Sequence, residues 1–199
     1  PDIPSDGSKL SLAFLEANLR ERRQKPPLQV VKEGDTQWLG AVRVEFLAVN
    51  HSIPDALALC IDTTAGRVIH TGDFKMDQLP LDGRITDLTA MGRLGSEGVD
   101  LLLVDSTNAE VSGFVKSESE ILPALEQVMA STQKRVIVAS FASHVHRIQQ
   151  VIDVATEHGR KIALVGRSMV RNMNVARELG YLQIPADTLV NIDRVGDLP

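Results

Sequence analysis

Three polar residues stand where apolar, strand-like runs end: His51 after "VRVEFLAVN", Asp73 after "RVIHTG" and Asp105 after "VDLLLV". An imidazole and two carboxylates gathered at one sheet edge can hold or orient a divalent metal. Their wide separation along the chain makes this a weak signal by itself, because structural metal sites usually show tight local ligand spacing. A second constellation lies in the C-terminal half. Ser143 and Ser168 stand where two helices are expected to begin, with His144, His146, Arg147 and Arg167 beside them. A helix start offers free N–H groups and the positive end of a dipole, and serine hydroxyls add donors. Open α/β sheets bind ligands beyond the carboxyl ends of their strands, so a phosphate is the natural guest. Both serines also read as ordinary helix caps, and the flanking basic residues as a solvated helix start.

These residues need elements to carry them. "SKLSLAFLEANLRERRQ" places Leu10, Phe14 and Ala17 at helical spacing and stops at Pro26-Pro27. "VRVEFLAVN" alternates Val42, Val44 and Phe46 with Arg43 and Glu45, which predicts a half-buried strand. "ALALCID" and "RVIHTGD" predict two more strands, joined by the Gly-containing turn "TTAGR". "VDLLLVDST" is nearly unbroken apolar sequence and predicts a strand covered on both faces. "SESEILPALEQVMAS" opens with Ser-x-x-Glu and predicts a helix, with Pro123 in its first turns. Beyond it the reading is strand "RVIVAS", helix "SHVHRIQQVIDVATEHG", strand "KIALVG" and helix "SMVRNMNVARELG". Such βαβα alternation predicts a parallel sheet flanked by helices. In the first of those helices Val145, Ile148, Ile152 and Ala155 form the inward stripe.

The remaining candidates read as structural. Cys60 lies in an apolar run and is expected to be a buried core thiol. His70 is expected to be packed, Asp77, Asp82 and Asp87 to lie in loops, and His158 to complement a helix C-terminus.

At 199 residues with 43% apolar content the chain can bury a core, and its one cysteine excludes an internal disulfide framework. The formal net charge of −5 argues against a nonspecific nucleic-acid binder, though not against basic groups gathered in one cleft. No apolar run reaches membrane-spanning length and the start lacks signal-peptide order, so the expected setting is cytoplasmic, with no membrane partner. The chain begins on Pro1 and ends on "RVGDLP", which reads as a stretch of something longer.

In combination, "NHSIPDA", "HTGDFK", "LLVDSTN", "FASHVHRIQQVI" and "GRSM" occur in the order and spacing of bacterial ribonuclease J. The chain thus resembles that metallo-β-lactamase-fold nuclease family, which carries a β-CASP insertion, from about Ser8 to Asn191. The resemblance implies an α/β architecture. Residues 1–105 would form the C-terminal part of a metallo-β-lactamase αββα sandwich. Residues 106–199 would form part of a β-CASP domain with a parallel sheet and flanking helices. It also implies a zinc-dependent ribonuclease with 5′-to-3′ exonuclease and endonuclease activity in RNA maturation and decay, including ribosomal RNA processing. Two zinc ions would serve each complete site, and the partners would be RNA with a 5′-monophosphate end and, at full length, further copies of the protein. By motif, His51 would be a zinc ligand, Asp73 the carboxylate bridging both metals, and Asp105 a supporting acid. Ser143, His146, Arg147, Arg167 and Ser168 would belong to the RNA channel and its phosphate pocket.

The family's principal metal motif, His-x-His-x-Asp-His, is absent from this sequence, as are its two later histidine motifs. Only His51 and Asp73 carry over as ligands, so this polypeptide alone is expected to bind zinc weakly or not at all and to be inactive. Two alternatives stand beside this reading. One is a β-CASP DNA nuclease or other metallo-hydrolase; the other, for the isolated chain, is a non-catalytic module that binds nucleotide phosphate.

Overall fold

A computed structural model describes residues 3–198. The fold is mixed α/β, and its two compact units divide between Lys116 and Ser117. The sequence reading put the boundary after residue 105. Residues 106–116 group instead with the first unit, where Asp105 accepts hydrogen bonds from both the amide and the hydroxyl of Thr107.

The first unit opens with strand β1 (Ser5–Gly7), helix α1 (Lys9–Glu21) and strand β2 (Leu28–Val30), which pairs parallel to β1. Five further strands make one sheet in the order β3 (Thr36–Leu39), β4 (Val42–Ala48), β5 (Leu57–Thr63), β6 (Gly66–His70) and β7 (Leu101–Leu103). The first four are antiparallel neighbours, while β7 joins β6 in parallel after helix α2 (Leu88–Glu97). The β5–β6 turn is tight: Gly66 has φ of +139°, and a Cβ there would lie 2.5 Å from Asp100 Oδ2. A larger residue would be strained at that φ and would have to displace the Asp100 carboxylate.

Alternation gives the sheet two different faces. On one, Val44 and Phe46 pack with Val31 and the partly buried Val42, Leu57, Leu59 and Ile61. On the other, Leu47, Val49, Ala58, Cys60 and Ile69 are covered by Leu94, Ala90 and Met91 of α2. Cys60 is fully buried, as expected, and burial pushes its thiol pKa up.

Further along that second face the strand residues become charged. Arg43 pairs with Asp62 at 2.8 Å and Asp62 with Arg67 at 2.6 Å, which follows from their opposition in the ladder. Arg67 reaches Glu97 of α2 at 2.8 Å, and Glu97 reaches Arg93 at 3.2 Å. Arg93 meets Glu45, and Glu45 returns to Arg43 at 3.2 Å. Six alternating charges thus form a closed ring linking three strands to one helix.

β7 differs from expectation. Its apolar run is not covered on both faces: Leu101, Leu102 and Leu103 are 50%, 55% and 44% exposed. The strand stands at the end of the sheet and pairs only with β6 among the described residues. Hydropathy identifies a strand that favours cover, but the cover must come from other segments.

The second unit contains helices α3 (Leu122–Ser131), α4 (Val145–Glu157) and α5 (Arg167–Glu178), with short 3-10 turns before α3 and near the end. The Ser117–Glu120 capping box is present and heads the first of those turns, and Pro123 sits in the first turn of α3. Met129, Val151, Val154 and Ala155 pack α3 on α4, and the expected stripe of Val145, Ile148, Ile152 and Ala155 is buried. His158 caps the C-terminus of α4. The two expected strands of this unit are not ladders. "RVIVAS" pairs with nothing among the described residues, and "KIALVG" makes a single parallel bridge, Ile162 to Leu189. β-branched composition makes a segment extended, but a strand also needs a neighbour for its N–H and C=O groups.

The charge ring has a pH signature. Arg67 first, then Arg43, holds the Asp62 carboxyl below its ordinary range; Arg67 and Arg93 do the same for Glu97. Their contribution is complete above the unfolded carboxylate values, near about pH 4, and is lost as pH falls through the depressed folded values. Asp62→Asn should lower unfolding free energy by about 1 kcal/mol at neutral pH, since the pairs are partly solvated. Urea melts at neutral and acid pH should show the loss shrinking toward zero in acid.

Candidate functional site

β4 and β6 are each antiparallel to β5, so they run the same way, and β7 runs parallel to β6. Their carboxyl ends therefore lie at one edge of the sheet. His51 follows β4, Asp73 follows β6 and Asp105 follows β7. The fold brings together the three residues that lie far apart in sequence. His51 Nε2 stands 3.8 Å from Asp73 Oδ2, with the Asp73 side chain 81% exposed. Asp105 is held below the ordinary carboxylate range by the Thr107 amide, the Thr107 hydroxyl and the Phe74 amide, with the nearby His51 adding a smaller pull. Its Oδ1 accepts from Thr107 N at 3.0 Å and Oγ1 at 2.7 Å, and its Oδ2 from Phe74 N at 3.3 Å.

The surrounding backbone is bound by residues the sequence reading passed over. Thr71 N donates to Leu103 O at 3.0 Å, and the Asp105 amide donates to Thr71 Oγ1 at 3.0 Å, so β6 and β7 are joined at their ends. Lys75 N donates to Asn50 O at 2.7 Å, which ties the segment after Asp73 to the residue before His51. Asn50 N donates to Thr86 Oγ1 at 3.1 Å, and both residues are buried. Asp55 caps α1, accepting from Leu10 N at 2.7 Å and Ser8 Oγ at 2.9 Å. A signal existed for Asn50 and Thr71, short polar side chains just past strand ends, and for Thr86 just before α2, but their partners lie far along the chain.

One minor expectation needs correcting, that His70 is packed, while Asp77 and Asp87 do lie outside the regular elements, as expected, and gain specific partners there. His70 is exposed, and its Nδ1 accepts from Gly72 N at 2.9 Å. Asp77, read as a loop residue, is buried beside Lys75, with Nζ 3.7 Å from Oδ2. Asp87 caps α2, accepting from Ala90 N at 2.8 Å.

An imidazole and a carboxylate are donors that zinc accepts, and 3.8 Å between their nearest atoms suits two ligands of one ion. Donor chemistry therefore fits a divalent metal, whereas donor number does not complete one. Among the described residues, no group of three or more His, Cys, Asp or Glu could hold a metal ion.

In the second unit neither serine is a helix cap. α4 is capped by His144, whose Nδ1 accepts from Arg147 N at 3.4 Å, and Ser143 lies one residue before it. α5 begins after Gly166, whose φ of +96° only glycine adopts readily. Ser168 is then inside the first turn, and it and Arg167 are exposed, with no side-chain cap on that helix. Asn172 links the segment before α4 to α5 by donating to Ala142 O at 3.1 Å. His146 is half-buried. Arg147 already has an anion: its Nε and Nη2 donate to Glu118 Oε2 at 3.1 and 2.7 Å. His144 Nε2 lies 3.9 Å from the same oxygen, and Gln150 Nε2 donates to Glu118 O at 2.8 Å. Glu118 was not singled out in the sequence, because an acid in the first turn of a helix reads as a local complement to the helix dipole.

Comparison with known proteins agrees with the sequence resemblance. Residues 133–199 match the family model described as ribonuclease J, beta-CASP domain. Ribonuclease J of Mycobacterium tuberculosis is 54% identical over 96% of this chain and 34% of its own length. The Mycolicibacterium smegmatis protein of that name is 52% identical over 100% and 36%, and the Thermus thermophilus one 41% over 99% and 35%. The chain thus spans about a third of the length of the curated relatives it matches. A crystal structure of a protein of unknown function from Enterococcus faecalis superimposes with a TM-score of 0.69 at 15% identity, covering 96% of this chain and 50% of that one, which speaks to the fold.

Two substitutions test the local geometry. Thr107→Val removes one of the three donors to Asp105 and should raise its carboxyl pKa part of the way to the ordinary value, read by carbon-detected NMR titration. Glu118→Ala leaves Arg147 half-buried without its anion and should cost about 1–3 kcal/mol in a urea melt, between the exposed and fully buried cases.

Proposed function

We propose, for a chain that belongs to the ribonuclease J family over nearly its whole length, that it is the stretch of a zinc-dependent ribonuclease bearing part of the metal centre and part of the RNA-binding β-CASP region. The reaction is hydrolysis of RNA phosphodiesters, 5′-to-3′ and internally, in RNA maturation and decay, in the cytoplasm and in an oligomer of the full-length protein. The observation that carries this reading is the convergence of His51, Asp73 and Asp105 at the carboxyl edge of strands running the same way.

Each residue has a role under this reading. His51 and Asp73 hold zinc, which when bound supplies Lewis acidity toward water and the phosphate. Asp105 stays ionised, held so by Thr107 and Phe74, and orients its neighbours. Arg147, Ser143 and His146 of the α4 start, with Arg167 and Ser168 of α5, receive the RNA backbone and its 5′-phosphate, the exposed and uncapped start of α5 offering N–H donors. Phosphate approaching Arg147 competes with Glu118 for the guanidinium.

The isolated chain, with two carried-over ligands against the three or so that each catalytic zinc takes, should neither retain zinc nor cleave. Elemental analysis of the purified chain and of the protein at full length, with cleavage of 5′-monophosphorylated RNA and matched DNA, tests this. Zinc and RNA cleavage should belong to the full-length protein alone. There Asp73→Ala should reduce cleavage by more than the roughly 10–100-fold typical of outer-shell partners. Cleavage by the 199-residue chain, lost on mutating Asp73, would overturn the inactivity of the piece; preference for DNA would overturn the substrate.

A further inference from the structure

His51 sits in a turn of irregular backbone between β4 and β5. A segment without ladder bonds belongs to the easily opened part of a fold unless side chains hold it. Here a side chain from a distant loop does so. Arg84 Nη1 donates to Val49 O at 2.9 Å and to Pro54 O at 3.2 Å, the carbonyls on either side of the segment that contains His51. Its Nη2 donates to Glu33 Oε2 at 3.1 Å, and its side chain is only 17% exposed. The same short segment bonds Asn50 twice more: Arg84 O accepts from Asn50 Nδ2 at 3.3 Å and Thr86 Oγ1 from Asn50 N at 3.1 Å.

We infer that Arg84 is a positioning residue for the His51 imidazole, its guanidinium bracketing both ends of the turn so that the ring faces Asp73. The inference rests on the reading of His51 as a metal ligand. Chemistry favours arginine in this place. A planar guanidinium presents five N–H donors in a fixed fork, so one side chain can tie two carbonyls and a carboxylate in a set geometry. An ammonium carries the charge but not the fork. Glu33 fixes the far side of the guanidinium and balances its charge, which leaves the carbonyl-facing side oriented. Arg84 contacts neither substrate nor metal in this reading; it acts through the backbone that carries His51.

The test compares Arg84→Met and Arg84→Lys in the full-length protein by three readouts: zinc affinity against a competing chelator, kcat and KM on 5′-monophosphorylated RNA, and hydrogen exchange over residues 49–55. Arg84→Met should weaken zinc binding by about 10–100-fold. It should lower kcat at limiting zinc, with recovery in excess zinc and KM within about twofold. It should also speed exchange over residues 50–53 by roughly tenfold or more. Arg84→Lys should lie between Met and wild type in all three. Unchanged exchange in Arg84→Met, or activity loss that excess zinc leaves untouched and that tracks the unfolding midpoint, would overturn the inference. If the wild-type protein neither binds zinc nor cleaves, the ribonuclease reading fails. Exchange then decides the clamp alone: faster exchange over residues 50–53 in Arg84→Met than in wild type sustains it, and unchanged exchange sinks it.

Discussion

Asp105 joins the candidate metal ligands His51 and Asp73 through the parallel pairing of β6 with β7. Antiparallel hairpins alone would send successive strand ends to opposite edges of the sheet. The crossover through α2 returns the chain so that β7 runs with β6, and β4 already does so because β5 separates them. Three strand ends then open on one edge, and the residue types placed just past them are His, Asp and Asp. Thr71 completes the junction: its amide bonds the end of β7 and its hydroxyl takes the Asp105 amide. A one-residue slip in the β6–β7 register would turn this set of bonds to the other face.

What secures α2 against the sheet is divided between two kinds of interaction. Leu94 is fully buried among Leu47, Val49, Ala58, Cys60 and Ile69, an apolar contact that supplies most of the adhesion. Beside it, the ring from Arg43 through Asp62, Arg67, Glu97 and Arg93 to Glu45 supplies direction. Exposed ion pairs contribute little individually. A closed alternating ring, however, leaves no side chain facing a like charge alone, and so favours one placement of the helix over neighbouring ones.

The second unit is organised around Glu118. Its carboxylate engages Arg147 and stands near His144, while its carbonyl receives Gln150. The α4 start is therefore not a bare positive end but one with a resident carboxylate. An outside anion approaching Arg147 meets Glu118 as a competitor for the guanidinium.

The sequence by itself determined the local elements: the alternation of β4, the helical stripe of α4, the Ser117–Glu120 capping box and the burial of Cys60 all rest on near-neighbour periodicity and composition. It also carried the candidate metal residues, since His51, Asp73 and Asp105 could be read as polar groups ending apolar runs. Helix starts were less legible. His144 caps α4 because its ring reaches the third amide, and α5 begins after Gly166 because the backbone there is left-handed; side-chain type alone favoured the serines. Tertiary structure alone decided which strand ends share an edge, that β7 is exposed, that "RVIVAS" lacks a ladder, and that Arg84, Thr86 and Asn50 bind the His51 turn. The reason is physical: a helix satisfies its hydrogen bonds within a few residues, whereas strands and clamped turns take their partners from far along the chain.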